Sequence, residues 1–445
     1  MSARRTKKAA RRPPPLEYSL LLTATLCLLA FGAVMVFSAS SARSLLTGGG
    51  NGFYYLERTL VFGAIGLAVM RVASLRGVAV ARTLTPLLVG VSLFLLVAVL
   101  APGVGQTVNG AQRWMGAGVL QFQPSELAKL TLVIYGAYLL AKEPRRARSL
   151  AGLGPYLLVV GGSILLVAIE PDLGTSMIIA AAVGCVLFVA GVRLRTLAPV
   201  AFAVAVIAVA VVASNPYQQE RLTGFLNPGA DPGGAGFQSK QATIAVGSGG
   251  IFGVGLGESV QKASYLPEAH TDMVAAVIGE ELGLVGVFVL VGLFGMFGYA
   301  GLRAAHRARD RFSKLLAAGL TSLILAQAAL NLFAVFGLAP LTGVPLPFVS
   351  YGGTSLVITL ASAGLILNVA RRPAAQGAGM RRSGGAGRAG RPTRSPAGGP
   401  ARLGVVDGGS HTRRKRVASG SSRDSGRRHG GARRAGDRRR RRASR

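Results

Sequence analysis

Leu266-Pro-Glu-Ala-His-Thr-Asp272, continued by Met273-Val-Ala-Ala-Val-Ile-Gly-Glu-Glu-Leu282, sets Glu268, His270 and Asp272 where a long polar connection runs into an apolar helix. Carboxylates are expensive in hydrocarbon, so these groups must stand proud of a bilayer or line a wet cavity. Asp272 and Glu280 are eight residues apart. On one continuous helix that spacing puts them on the same side, separated by about 12 Å of rise. His270 is close enough to orient Asp272, and equally suited to a structural hydrogen bond of its own. This mouth, read as a pocket open to the outside, is where chemistry is expected.

The surrounding chain decides the fold class. Half of its 445 residues are hydrophobic, and the charge is confined to blocks. A hydrocarbon core of about 30 Å needs about 20 apolar residues per helix. The apolar runs fall at 18–40, 56–70, 83–100, 127–140, 156–169, 173–190, 197–213, 282–300, 315–336 and 349–370. The expectation is an all-α polytopic membrane protein with about ten transmembrane helices and a long outer loop, 214–271, between spans seven and eight. Cys27 and Cys185 fall inside predicted spans and read as small packing residues.

The net charge of +33 suggests nucleic acid until it is located. From Arg371 to Arg445 there are 23 Lys or Arg against three Asp, and six basic residues precede the first span. Nucleic acid is therefore not an expected partner. Residues 1–15 and 371–445 read as disordered basic tails, the latter too rich in Gly, Arg, Ser and Pro for a core and suited to anionic lipid. With the N-terminus inside, the inner connections hold fourteen Lys or Arg and the outer ones six. The positive-inside rule then places both termini in the cytoplasm.

Other outer segments carry candidates. Glu126 and Lys129, three apart at the start of the fourth span, share a helix face and can pair. Glu170-Pro-Asp-Leu-Gly-Thr175 is a tight turn in which Asp172 is either the cap of the next helix or a site carboxylate. Asn215 to Pro228 predicts a short helix. Residues 237–246 carry Gln238, Lys240 and Gln241 opposite Ile244 and Val246, which predicts an amphipathic helix lying on the membrane. The glycine-rich run 247–257 allows either loop flexibility or close backbone approach, and it lacks the Gly-Lys-Ser/Thr ending of a nucleotide loop. Residues 337–355 carry three prolines and no charge, irregular backbone that is tolerated at membrane depth only where it lines a cavity or is buried in protein. Trp114 reads as an interfacial anchor.

Several of these segments, taken in order, resemble the SEDS family of membrane proteins (shape, elongation, division and sporulation). They are Phe122-Gln-Pro-Ser-Glu-Leu-Ala-Lys129, Glu170-Pro-Asp-Leu-Gly-Thr175, Gln219-Glu-Arg-Leu-Thr-Gly-Phe-Leu-Asn-Pro228, Gln238-Ser-Lys-Gln241, Pro267-Glu-Ala-His-Thr-Asp272, Gly279-Glu-Glu-Leu-Gly283 and Pro345-Leu-Pro-Phe-Val-Ser-Tyr-Gly-Gly353. The resemblance covers roughly 18–370. It implies ten membrane helices and a peptidoglycan glycosyltransferase that polymerises lipid II on the outer face of the cytoplasmic membrane. It also implies a class B penicillin-binding transpeptidase as partner, among other membrane proteins of the divisome or elongasome. By position Asp272 matches the family's catalytic aspartate, and Glu126, Lys129 and Asp172 match residues the family depends on; Ser350 lies in the last matched motif. The segment ending at Asp272 is nearer the division branch than the elongation branch.

The chemistry implied is that Asp272, as general base, takes the proton from the acceptor hydroxyl while it attacks the donor's anomeric carbon and displaces undecaprenyl pyrophosphate. The diphosphate leaving group needs positive charge. Arg221, Lys240, Lys262 and Lys129 are the outer-side cations available, and a divalent ion, Mg or Mn, on Asp172 or Glu170 is the one cofactor this chemistry admits. Two other readings stand beside it: a flippase for the lipid-linked precursor, which requires charges in mid-span and an internal repeat, and a non-enzymatic division scaffold.

Overall fold

In the computed structural model, residues 14–47, 52–108, 111–116, 118, 121–227, 234–264, 266 and 268–371 are described. The tail expectations for 1–13 and 372–445 lie outside them. The apolar runs become helices in chain order: α1 Leu16–Thr47, α2 Tyr54–Leu100, α3 Pro124–Lys142, α4 Leu150–Ile169, α5 Leu173–Val189, α6 Leu194–Ser214, α7 Pro216–Leu226, α8 Ala235–Ser248, α9 Gln261–Ser264, α10 Val274–Glu281, α11 Gly283–His306, α12 Arg311–Val335 and α13 Gly353–Arg371. A small antiparallel hairpin, β1 Gly105–Val108 with β2 Ala111–Met115, was not expected and pairs Gln106 with Trp114. Among the described residues, seven helices are long and apolar enough to cross a membrane: α1, α2, α4, α6, α11, α12 and α13. The chain is a multi-pass helical membrane protein. α10 is buried along its whole length and α12 buries Leu316, Ala317 and Leu320, while α6 buries none of its residues.

Two expected spans, 56–70 and 83–100, merge into α2. At 47 residues it would be about 70 Å long if straight, more than twice the hydrocarbon thickness. Its contacts show that it doubles back. Near its start the ring of Tyr55 lies against His270 and Tyr351, with centroids at 4.2 and 5.1 Å. In its middle, Ser74 O accepts from Asn368 Nδ2 at 2.8 Å and Arg82 lies over Phe312, both at the opposite end of the bundle. At its end, Val99 O accepts from Gln112 Nε2 in the hairpin that precedes α3. Close glycine contacts weld the first half to α13: a Cβ on Gly66 would meet Leu360 at 2.4 Å and one on Gly364 would meet Met70 O at 2.5 Å.

The expected span 282–300 forms as α11, and the segment ahead of it is a separate short helix. α10 stops at Glu281 and α11 starts at Gly283, whose φ of +63° is left-handed backbone that glycine adopts without cost. A helix broken inside a protein orphans carbonyls on one side and amides on the other. The glycine-rich run supplies both sets of partners. Val254 and Gly255 donate their N–H to the carbonyls of Glu280 and Glu281 at 3.0 and 3.1 Å, and the amides of Leu284 and Val285 donate to the carbonyls of Gly250 and Ile251. Close approach, rather than loose loop, is thus what these glycines provide: a Cβ on Gly253 would sit 2.1 Å from Glu281 O.

Candidate active site

Asp272 lies in a turn ahead of α10, not on a continuous helix with Glu280, which corrects the expected shared face. The amides of Thr271 and Met273 donate to Glu268 O, and Glu268 sits at φ +54°, a sparsely populated conformation for a non-glycine residue that costs roughly 1–3 kcal/mol and persists only where the surroundings hold it. Glu280 turns away to Ser259 Oγ and to the Val260 amide at the start of α9. Asp272 O accepts from Asn331 Nδ2 at 2.7 Å, and the same Nδ2 donates to Val344 O at 2.8 Å. One amide on α12 therefore ties the Asp272 turn to the proline-rich segment 341–350.

The Asp272 carboxylate is 9% exposed, so the open mouth expected from the sequence is covered here. Thr271 Oγ1 donates to its Oδ1 at 3.3 Å. Across from it stands Arg221 of α7, whose Nη1 donates to Leu341 O at 2.9 Å. Gly343, at φ +67°, borders both: a Cβ there would lie 3.4 Å from Arg221 Nη1 and 3.8 Å from Asp272 Oδ2. Burial pushes the Asp272 carboxyl up to about 6; the Arg221 charge opposes the shift and Glu268 adds to it. A carboxylate poised near neutral pH, with a guanidinium opposite, suits proton abstraction beside a developing anion.

The other candidates separate into those that build this site and those that do not reach it. Lys129, 2% exposed, donates to Glu126 Oε1 and to Gln327 Oε1, both at 2.8 Å, and Gln327 Nε2 donates to Pro345 O. The buried pair thus holds the 341–350 segment from below. Asp172 caps α5 by accepting from the Thr175 amide at 3.0 Å, and its Oδ2 accepts from Gln123 Nε2. Beside it Gly174 packs against Thr342 and Val344, and Gln218 of α7 donates to Pro171 O. Ser350 is internal to the segment, where its Oγ accepts from the Leu346 amide. His270 packs its ring against Tyr55 and Tyr351, and its carbonyl accepts from the Tyr351 amide.

Two of the expected cations are elsewhere. Lys262 is buried in an ion pair with Glu281 at 2.6 Å, with Ser38 Oγ and Gly257 O as further partners. Lys240 is an exposed residue of α8, which buries Ala242 and Ala245 in the core next to α10 rather than only lying on a membrane. Of the four cations, Arg221 is the one the structure places at Asp272.

Glu170 is fully buried, and neither of its carboxylate oxygens has a hydrogen-bond partner. Burial, then the charge of Asp172, push its carboxyl up to about 8, with Arg113 opposing. Asp172 already spends both oxygens on protein donors, and no cluster of three His, Cys, Asp or Glu occurs among the described residues. Glu170 and Asp172 therefore do not fit as a cage for a divalent ion.

Gln327 and Asn331, which tether the 341–350 segment beside Asp272, were not singled out from the sequence. The signal was present: two amides four residues apart, on one face of an otherwise apolar span, are costly in a membrane without partners.

A multi-pass helical membrane protein with a buried acid facing an arginine at one end of its bundle is the class defined so far. The FtsW/RodA/SpoVE model, described as cell cycle protein, matches residues 18–374, and the chain belongs to that family. It is similar to a probable peptidoglycan glycosyltransferase FtsW of Trichlorobacter lovleyi, 41% identical over 355 residues that cover 79% of this chain and 93% of the relative. It is also similar to stage V sporulation protein E of Bacillus subtilis, 39% identical with 79% and 96% covered. Among solved structures it resembles a chain from a peptidoglycan synthase complex described by its coordination of polymerization and crosslinking (TM-score 0.66, 32% identity, 79% and 96% covered). It also resembles Thermus thermophilus rod shape determining protein RodA (TM-score 0.58, 30% identity, 79% and 95% covered).

Proposed function

We propose that the chain is a peptidoglycan glycosyltransferase that polymerises lipid II in cell division, with Asp272 as its general base. The observation that carries this reading is the buried carboxylate facing Arg221 beside a bare glycine. Asp272 takes the proton of the acceptor sugar's hydroxyl as that oxygen attacks the donor's anomeric carbon. The bond to undecaprenyl pyrophosphate breaks, and Arg221 stabilises the charge gathering on the departing diphosphate. The covering segment, 341–350, moves aside to admit the two lipid-linked sugars, and its Asn331 and Gln327 tethers set where it returns.

In this reading α2 makes two crossings, and α3 and α5 add one each to the remaining six, giving ten. Both termini are then cytoplasmic and the site faces outward from the inner membrane. A class B penicillin-binding transpeptidase is the partner that crosslinks the product. The test gives purified chain, with and without that partner, labelled lipid II in vesicles. Glycan chains support the reading; lipid II carried across the bilayer with no polymer formed would support a transporter instead.

A further inference from the structure

At the end of the bundle away from Asp272, a cavity of about 360 Å³ opens between the reversal of α2, the connection into α12 and the end of α13. Its lining includes Arg82, Arg309, Asp310, Phe312, Ser313 and Asn368. None of these enters the chemistry proposed above. Arg82 and Arg309 are exposed, and the Arg82 guanidinium lies 5.7 Å from the centre of the Phe312 ring. Asp310 caps α12, accepting from the Ser313 amide and hydroxyl at 3.1 and 2.7 Å. Asn368 is 2% exposed; its Nδ2 donates to Ser74 O, while its Oδ1 is buried and accepts nothing. That bond fixes the amide so that the unused acceptor is the oxygen.

We infer that this cavity is a binding site for a zwitterionic phospholipid headgroup, a phosphodiester followed by a primary ammonium. The two arginines suit the phosphate, which they bind as charge-assisted donors. The ammonium brings N–H donors to the acceptor the cavity leaves idle, Asn368 Oδ1, beside the negative charge of Asp310, whose two oxygens already accept from Ser313. The helix ends that frame it put the cavity at the depth of headgroups. A phosphate alone leaves Asn368 unserved and sets an anion beside Asp310, and a quaternary ammonium has no N–H to donate.

The experiment uses the full chain in nanodiscs of phosphatidylcholine doped equally with phosphatidylethanolamine and phosphatidylglycerol, with the retained lipid counted by mass spectrometry after transfer to detergent. The ammonium's charge-assisted bond to Asn368 Oδ1, with its attraction to Asp310, predicts phosphatidylethanolamine enriched about tenfold over phosphatidylcholine. Arg82→Gln with Arg309→Gln should abolish the enrichment, and Asn368→Leu should bring the two lipids level while keeping the phosphate contacts. Competition by inorganic phosphate with no headgroup preference would show a plain anion site and overturn the inference. Preferential retention of phosphatidylglycerol, or equal retention of all three by the wild type, would overturn it too, and neither outcome depends on how a variant folds.

Discussion

Arg221 and Asp272 meet at Gly343, where an added side-chain carbon would touch both the guanidinium and the carboxylate. Gly343→Ala would place a methyl 3.4 Å from the guanidinium and 3.8 Å from the carboxylate, on backbone at φ +67°. The strain alone costs about 1 kcal/mol, which a folded membrane domain survives. The expected result is a chain that purifies normally and polymerises at least tenfold more slowly. Wild-type rates from this variant would show that the bare position at Gly343 is not used.

The acidity of Asp272 gives a second prediction. With a folded carboxyl near 6 against an unfolded value of 3.8, the active, deprotonated base is lost below about pH 6, so kcat/KM should fall tenfold per pH unit there and level off above. For stability the sign is opposite. A raised carboxyl is fully stabilising below the unfolded value and loses that contribution as pH rises through 6, by about 3 kcal/mol. Asp272→Asn should therefore melt higher than wild type at pH 7 and equal to it near pH 4; a lower melting point at pH 7 would mean that the charge is not a burden.

Glu126 and Lys129 form a pair in which both side chains are at most 4% exposed. Removing one partner leaves a buried charge, about 3–5 kcal/mol. Lys129→Met should be severely destabilised and Glu126→Gln with Lys129→Met should recover much of the loss. Because the pair supports Pro345 through Gln327, the recovered double variant should still be slow. Thermal unfolding and polymerisation, measured on the three chains, separate the two effects.

The spliced helix break makes a further claim that glycine scanning can check. Gly253→Ala meets Glu281 O at 2.1 Å, whereas a Cβ on Gly247 meets nothing within 4 Å. The first should fail to fold or lose α10, and the second should be within about 0.5 kcal/mol of wild type. Equal behaviour, read by protease resistance, would contradict the splice.

How much of this could be read from residues alone follows from which interactions are local. The spans, the α7 helix ended by Asn227, the Asp172 cap and the Glu126–Lys129 pair all depend on neighbours within a few positions, and the sequence states them. The reversal of α2 was legible as an inner connection between two spans, marked by Arg71, Arg76 and Arg82; that the connection is itself helical was not. The break at Gly283 is stabilised by amides some thirty residues upstream, so the spacing of Asp272 and Glu280 reads as one helical face when the two are not on one helix. Asp272 and Arg221 were named from the sequence, but the same distance effect hid how the site is built: Asn331 and Gly343 reach Asp272 from separate segments, and Lys262 is claimed by Glu281 in a pairing that no spacing predicts.

The most direct test of Asp272 as the base is a single-turnover measurement with labelled lipid II on the purified chain and its transpeptidase partner. Wild type should form the glycosidic bond, and Asp272→Asn should bind the substrate with unchanged affinity yet form none. Glycan product from the Asn variant at the wild-type rate would contradict the account, because the proton of the acceptor hydroxyl would then leave by another route.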